Sequence, residues 1–362
     1  MIYFNYPKKV YLKYKNEINK SIQRVLSSGN YINSEELCKF ENSFAKYLNV
    51  KNCIGVGNAT DSIFLCLRSL NIKHGDEVIT VSHTATGTVA AIANTGAIPV
   101  FVDIDENTYN INTNLIEKQI TKKTKAIVAV HLYGQSCSME NLYYIANKKG
   151  IPVIEDCSQS AGSKYKNKYL GSIGLFGCFS FFPTKNLSCI GDGGLVSCNS
   201  NYFASKIRNL REYGWNKNRN ARYIGINSRL DEIQAAILNV KLKYLNKDNV
   251  ERRKIAKLYN QKIINPNVLK PKEGLYNYHV YHLYVIRLKK RNKLLKYLQE
   301  NKIFPGIHYK LPVHKQTAYT FLKKRNLKIT EKISKEIVSL PVYPGLTLTN
   351  QKEVIKLINS FS

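Results

Sequence analysis

Lys185 lies within the segment Phe179 to Ser188, FSFFPTKNLS, among aromatics and a proline, and is followed by Cys189, Ile190 and the glycine-rich run Gly191 to Gly194. Upstream, the apolar run Ile151-Pro152-Val153-Ile154 leads into Glu155 and Asp156, then Cys157-Ser158-Gln159-Ser160-Ala161-Gly162. A lysine shielded by apolar neighbours can be neutral near pH 7 and attack a carbonyl carbon. A carboxylate at the end of an apolar run can stay buried and hold a protonated nitrogen opposite it. Taken singly, the lysine has an ordinary reading as a surface cation and the aspartate as a strand-end cap. Their pairing gives them a chemical one.

Pyridoxal phosphate asks for this pair. Its aldehyde needs an amine that can leave when substrate arrives and then carry protons, and Lys185 has the setting for it. Its pyridine nitrogen stays protonated only beside a buried carboxylate, which makes Asp156 the partner. Its phosphate needs backbone N–H groups and hydroxyls at a helix start, supplied by Gly55-Val56-Gly57-Asn58-Ala59-Thr60-Asp61-Ser62 between an apolar strand end and a helical pattern. Ile63, Cys66, Leu67 and Leu70 share one face of that helix.

These groups need a scaffold that brings distant segments to one edge. Strand-like runs at Val78 to Val81, Val100 to Val102, Ala126 to Val130, Val153 to Ile154, Cys178 to Phe181 and Leu195 to Val196 alternate with helical patterns at Thr86 to Ala93, Ile111 to Ile120 and Met139 to Lys148. Alternation of this kind predicts an α/β fold with a mostly parallel sheet between helix layers. Parallel sheets bind ligands at the carboxyl ends of their strands, where Asp156 and Ser180 both fall. Past Asn246 the pattern changes to a helix at Val250 to Ile264 and shorter strands such as Tyr281 to Leu288. The expected division is a large domain over 1–245 and a smaller α+β domain over 246–362, in keeping with 362 residues and 44% apolar content.

The net charge of +30 invites a nucleic-acid reading. The lysines are spread along the chain, however, and arginine is the minority cation, so solvated lysine faces are the preferred account. Such a field attracts small, doubly charged anions and makes their affinity sensitive to salt. The eight cysteines, at 38, 53, 66, 137, 157, 178, 189 and 198, form no CxxC pair and fall mostly in apolar patterns. This predicts reduced thiols, a cytoplasmic location and no metal site. No apolar run reaches membrane-span length, and the start lacks a signal-peptide pattern.

The chain resembles the PLP-dependent sugar-nucleotide aminotransferases of the DegT/DnrJ type. The resemblance runs from SGNYINSEELCKFENSFAKY through GDEVITVSHT, FVDID, VHLYGQ, VIEDCSQSAGS, SFFPTKNLSCIGDGG, LREYGW, GINSRLDEIQAA and GIHYKLPVH, nearly the whole chain. It implies a type I, aspartate aminotransferase-like fold, with Asp156 on the pyridine nitrogen, Gln159 on the cofactor's phenolic oxygen and Lys185 on its aldehyde. Ser180, Ala59 and Thr60 are implied to hold the phosphate, and Asn227 to reach the phosphate of a neighbouring subunit's cofactor in a homodimer. Phe182, Arg229, His308 and Tyr309 are the expected substrate contacts.

Two departures accompany the resemblance. Members commonly carry an aromatic residue two places after the histidine of Ser82-His83-Thr84, stacked on the pyridine ring, and here that place is Ala85. His83 is the expected cover. Asn33-Ser34 stands where a glycine is common, which alters a loop. The SHTAT variant is most similar to the branch that aminates 3-keto-6-deoxyhexoses on a thymidine diphosphate carrier. The expectation is therefore amino transfer from L-glutamate to such a sugar, for surface glycans including lipopolysaccharide and lipooligosaccharide. Amination of a 4-keto sugar, on a dTDP or UDP carrier, is the alternative within the family. A related dehydratase branch carries histidine in place of Lys185, and a basic nucleic-acid-binding protein with a vestigial cofactor site is the remote alternative.

Overall fold

The computed structural model describes residues 1–322 and 326–362. Among these, seven strands form the central sheet, ordered Asn52–Val56, Gly194–Cys198, Phe176–Ser180, Val153–Asp156, Thr124–Val130, Glu77–Val81 and Ile98–Val102. Gly194–Cys198 runs antiparallel to both its neighbours, and the other pairs are parallel. The strands are valine- and isoleucine-rich runs covered on both faces, the pattern of a sheet between helix layers. Alternation divides them. Phe179 and Leu195 face a core shared with Leu37, Phe40 and Phe44 of the helix Glu35–Leu48, where the Phe44 and Phe179 rings meet edge-on at 5.1 Å. Phe176, Cys178 and Val196 face the opposite core with Ile63, Cys66 and Leu67 of the helix Ala59–Ser69.

The parallel strands ending at Val81, Val130, Asp156 and Ser180 deliver their following residues to one edge, in register Val130 to Asp156 and Asp156 to Cys178. The helix Thr86–Ala93 has the bounds that the sequence pattern predicts, and Met139–Lys149 is one residue longer. The helix expected at Ile111 to Ile120 does not form. Two 3₁₀ turns, Thr113–Leu115 and Glu117–Gln119, stand there, and Ile111 bridges to Ile104. Asparagine side chains explain the difference, because they compete with the helix for backbone groups. Asn112 caps the N–H of Asn114 at 3.2 Å, and Asn110 accepts from the N–H of Leu132 at 2.8 Å.

The C-terminal part builds a second core around Tyr259, Tyr284, Leu294 and Ile358, with Tyr284–Arg287 antiparallel to Ile337–Leu340. Its long helix is Leu245–Lys262, beginning earlier than the apolar pattern indicates. The strand expected at Tyr281 to Leu288 narrows to Tyr284–Arg287. The first strand, Ile2–Tyr3, pairs in parallel with Ile303–Phe304, and Ile2 is buried in this second core. The N-terminal segment thus packs with the C-terminal elements, although the sequence reading groups it with the large domain.

Glu155, one residue before Asp156, shows how the loops beneath the sheet edge are held. Its side chain is fully buried and accepts the N–H groups of Gly171, Ile173 and Gly174 at 2.9, 2.9 and 2.6 Å, and its Oε2 lies 3.0 Å from His131 Nε2. The loop lies so close to the sheet that a Cβ on Gly177 would stand 2.4 Å from the Gly171 Cα. Replacing Glu155→Ala leaves three N–H groups without their acceptor, one buried and two partly buried, each costing about 1–3 kcal/mol. The expected outcome is a loss of about 3–5 kcal/mol in unfolding free energy, measured by urea denaturation.

Candidate active site

At the strand-end edge lies a cavity of about 470 Å³, lined by Asn58, Ala59, Thr60 and Asp61 from the first helix turn, Thr84, Ala85, Gly87 and Thr88 from the second, and Asp156, Gln159, Ser180, Phe182 and Lys185 from the sheet edge. Its size suits a small organic cofactor with part of a substrate. Asp156 ends its strand there, 3% exposed. Its Oδ2 accepts from Thr88 Oγ1 at 2.7 Å, and its Oδ1 from the Ser158 N–H at 3.1 Å and Ser158 Oγ at 2.5 Å. Because Thr88 donates to Asp156, its oxygen accepts the hydrogen of Thr84 Oγ1, 2.9 Å away. The chain Thr84 to Thr88 to Asp156 therefore has one direction, and it presents a fixed, buried carboxylate to the cavity.

Lys185 stands in the turn after Ser180, whose backbone closes with Lys185 N–H donating to Phe182 O at 2.9 Å. Burial of the amine pushes its pKa down to about 8, and Asp156 nearby pulls in the opposite direction without cancelling it. A substantial fraction of the amine is then neutral near physiological pH. His282 and His308 are among the groups that feel the lysine's charge, and burial keeps both imidazoles neutral, His308 down to about 4.

The helix Ala59–Ser69 starts with Asn58 as its cap, accepting from the Asp61 N–H at 2.9 Å. Ala59 and Thr60 contribute the first amide groups, which have no partner within a helix. Gly87 lets the second helix approach this turn, since a Cβ there would stand 2.6 Å from Thr60 Oγ1. Asp61 would repel a phosphate, but its Oδ2 is bonded to Ser228 Oγ at 2.6 Å and Asn58 Nδ2 at 3.0 Å. The donor set suits a phosphorylated pyridoxal: amides at a helix start with the Ser180 hydroxyl from a strand end, a carboxylate held by three bonds, and an amine of lowered pKa.

The other expected residues are distributed differently. Gln159 lines the cavity, its Oε1 accepting from the Tyr133 N–H at 2.8 Å and its Nε2 donating to Tyr309 Oη at 2.9 Å. His83 is not among the lining residues: it is fully buried behind Thr84 and Ala85, with Nε2 at 2.8 Å from Tyr133 Oη. Burial holds its pKa down to about 4. In this arrangement the imidazole meets the Tyr133 hydroxyl and does not line the cavity, where the sequence reading expects it to cover the cofactor ring. His308 and Tyr309 stand behind the lining, the former with Nδ1 at 2.8 Å from Ser339 Oγ. Asn227 is exposed and Arg229 half-buried, 3.8 Å from Glu212, and neither lines the cavity of this chain. Sequence reasoning missed Thr88 and Ser158. Ser158 sits two residues after Asp156, the spacing at which a side chain and an N–H can both turn back on a carboxylate, and was readable as such. Thr88 carries no local signal.

His131, Glu155 and Cys157 bring ligand-type atoms within 4.8 Å of one another, but Glu155 already serves three loop amides. Among the described residues, no helix is long and apolar enough to cross a membrane.

The model of the DegT/DnrJ/EryC1/StrS aminotransferase family matches residues 13–359. The chain is 44% identical, over 100% of its length and 99% of the relative's, to a dTDP-3-amino-3,6-dideoxy-alpha-D-galactopyranose transaminase of Aneurinibacillus thermoaerophilus. Its fold is similar to the crystal structure of S. venezuelae DesV in complex with a ketimine intermediate, with a TM-score of 0.97, 35% identity and coverage of 99% of this chain and 97% of that one. It is also similar to NtdA from Bacillus subtilis with bound cofactor PMP, with a TM-score of 0.90, 29% identity and coverage of 96% and 81%. The matching model, the Asp156 and Lys185 geometry and the helix-start cradle agree: the chain belongs to the DegT/DnrJ/EryC1/StrS family and is a pyridoxal-phosphate-dependent sugar-nucleotide aminotransferase.

Proposed function

We propose that this aminotransferase moves the amino group of L-glutamate to C3 of a dTDP-linked 3-keto-6-deoxyhexose, in amino-sugar supply for surface glycans. The observation that carries the reading is the shared cavity in which a lysine of lowered pKa meets a triply bonded carboxylate and a helix N-terminus. The C3 position and the thymidine carrier are supported by the likeness to the Aneurinibacillus transaminase. The amine replaces the ketone oxygen, and the donor leaves as its 2-oxo acid.

Pyridoxal phosphate, when bound, supplies an electron sink and carries the amino group between the two substrates. Asp156 would keep the pyridine nitrogen protonated, its orientation maintained by Thr88 and Ser158. Gln159 would face the phenolic oxygen. Ala59, Thr60 and Ser180 would donate to the phosphate, aided by the dipole of the helix they start. Lys185 Nζ takes a proton from the donor's α-carbon and later returns one to the sugar's C3. Phe182, 49% exposed at the cavity mouth, offers a flat face to the sugar. Arg229, His308 and Tyr309 would contact the substrate only from outside the present lining.

A homodimer is supported by what surrounds the mouth. Tyr31, Ile190, Tyr213 and Ile224 expose 48%, 51%, 42% and 86% of their surface. Glu232 ties to the Tyr31 carbonyl and Gln234 to Ile190, while Glu212 bonds Asn33 and bridges to Asn227, so these segments share one face. On that face Asn227 can reach a partner's phosphate. A cytoplasmic location fits cysteines that are all free and mostly buried.

Four outcomes follow. Lys185→Ala should lower turnover by about 10³-fold or more while the cofactor still binds, checked by steady-state rates and dialysis. Because the amine's pKa is lowered, its basic form grows as pH rises, and the single-turnover rate with L-glutamate should climb below about 8 and level above it. Mixing Lys185→Ala with Asn227→Ala chains should restore up to about a quarter of normal activity, since half the dimers are hybrids with one intact site. NMR of the product from 3-keto and 4-keto substrates tests the sugar assignment, and an amine appearing only at C4 overturns it.

A further inference from the structure

The peptide unit preceding Lys185 is bonded at both ends. Its N–H, that of Lys185, donates to Phe182 O at 2.9 Å. Its carbonyl, that of Thr184, accepts from the side-chain amide of Asn5 at 2.8 Å. The first bond is local to the turn, whereas the second spans 179 residues of sequence.

Asn5 is itself firmly placed. It is 9% exposed, so its amide has little room to exchange Thr184 for water. Phe4, just before it, donates to Phe304 O at 2.9 Å and accepts from the Val342 N–H at 3.2 Å. Ile2–Tyr3 continues the same attachment by pairing with Ile303–Phe304. The Phe4 ring lies 5.1 Å from the His308 ring, and His308 is anchored through Ser339. The N-terminal segment thus joins the two cores, with Ile2 buried in the small one and Phe4 packed against the large one, and its fifth side chain bonds the turn that carries the catalytic amine.

The orientation of that peptide plane sets φ of Lys185 and with it the direction in which the side chain leaves the backbone. Lysine then has four flexible bonds to its ammonium, so a wandering root would scatter the tip. A rotation of about 20° at the root of a side chain about 6 Å long moves its end by about 2 Å, and a misplacement of about 1 Å can cost on the order of 10²-fold in rate.

We propose that Asn5 is a positioning residue for the catalytic amine: by holding the Thr184 carbonyl, it lets the N-terminal segment transmit the place of the small domain to Lys185. The proposal rests on the reading of Lys185 as the amine that meets the cofactor's aldehyde. It makes the first residues part of the active site's support, although none of them lines the cavity.

The test uses cofactor-loaded Asn5→Ala and Asn5→Asp proteins beside the parent. Asn5→Asp keeps the shape and removes the amide hydrogens, turning an oxygen toward the Thr184 carbonyl. Three quantities are read: the pH midpoint of the visible cofactor band, the single-turnover rate with L-glutamate, and Tm. The expected result is that both variants bind cofactor, with the midpoint moved by about half a unit or more and the rate lowered about tenfold. Variants with a lower Tm but the parent's midpoint and rate would show a structural bond only and overturn the positioning role. A parent without a visible band, or one whose borohydride-reduced label maps away from Lys185, overturns the cofactor reading and this proposal with it.

Discussion

Burying a carboxylate and an amine in one cavity is the constraint on which the rest of this structure depends. Neither charge leaves water without compensation. Asp156 is compensated by three hydrogen bonds from Thr88 and Ser158. Lys185 lacks such a partner set and responds by lowering its pKa to about 8. The two settings are complementary: three donors surround the carboxylate, and burial turns the amine toward its neutral form. Both depend on strand ends that arrive at the same edge in fixed register.

The four-residue strand Val153–Asp156 shows how closely support and chemistry are joined. Successive side chains point to opposite faces of a sheet, so Glu155 and Asp156 leave the strand in opposite directions. Glu155 gathers the Gly171 to Gly174 loop, and Asp156 enters the cavity. A register slip of one residue would exchange the two acids and ruin both. The parallel pairing of Val130 with Asp156 and of Asp156 with Cys178 prevents it.

Ala85 gives the cavity lining a small side chain at the place where the family resemblance implies an aromatic ring. The imidazole next in line turns away, since His83 finds the Tyr133 hydroxyl in the core and burial keeps it neutral. At the mouth, Phe182 is half exposed and leaves a flat ring that a sugar can cover. The net charge of +30 favours the approach of anionic ligands at longer range, an effect that salt weakens.

Local pattern was enough to identify the chemistry. The meeting of Asp156 and Lys185 in one cavity was legible because an apolar run, an acid and a lysine among aromatics and glycines are local signals, as were the helix start at Ala59 and the Thr86–Ala93 helix. The false helix at Ile111 to Ile120 arose because apolar spacing was weighed above asparagines that bond the backbone themselves. Thr88, the inward turn of His83, the pairing of Ile2–Tyr3 with Ile303–Phe304 and the bond from Asn5 to Thr184 had no local signature. Each joins segments far apart in sequence, and which donor meets which acceptor is settled only when the sheet and the two cores have packed. The sequence by itself determined which groups are available for chemistry, because acidity and nucleophilicity follow residue type and immediate setting. The tertiary structure decided what holds and aims them, because a hydrogen bond needs its partners within about 3 Å and the chain alone does not supply that distance.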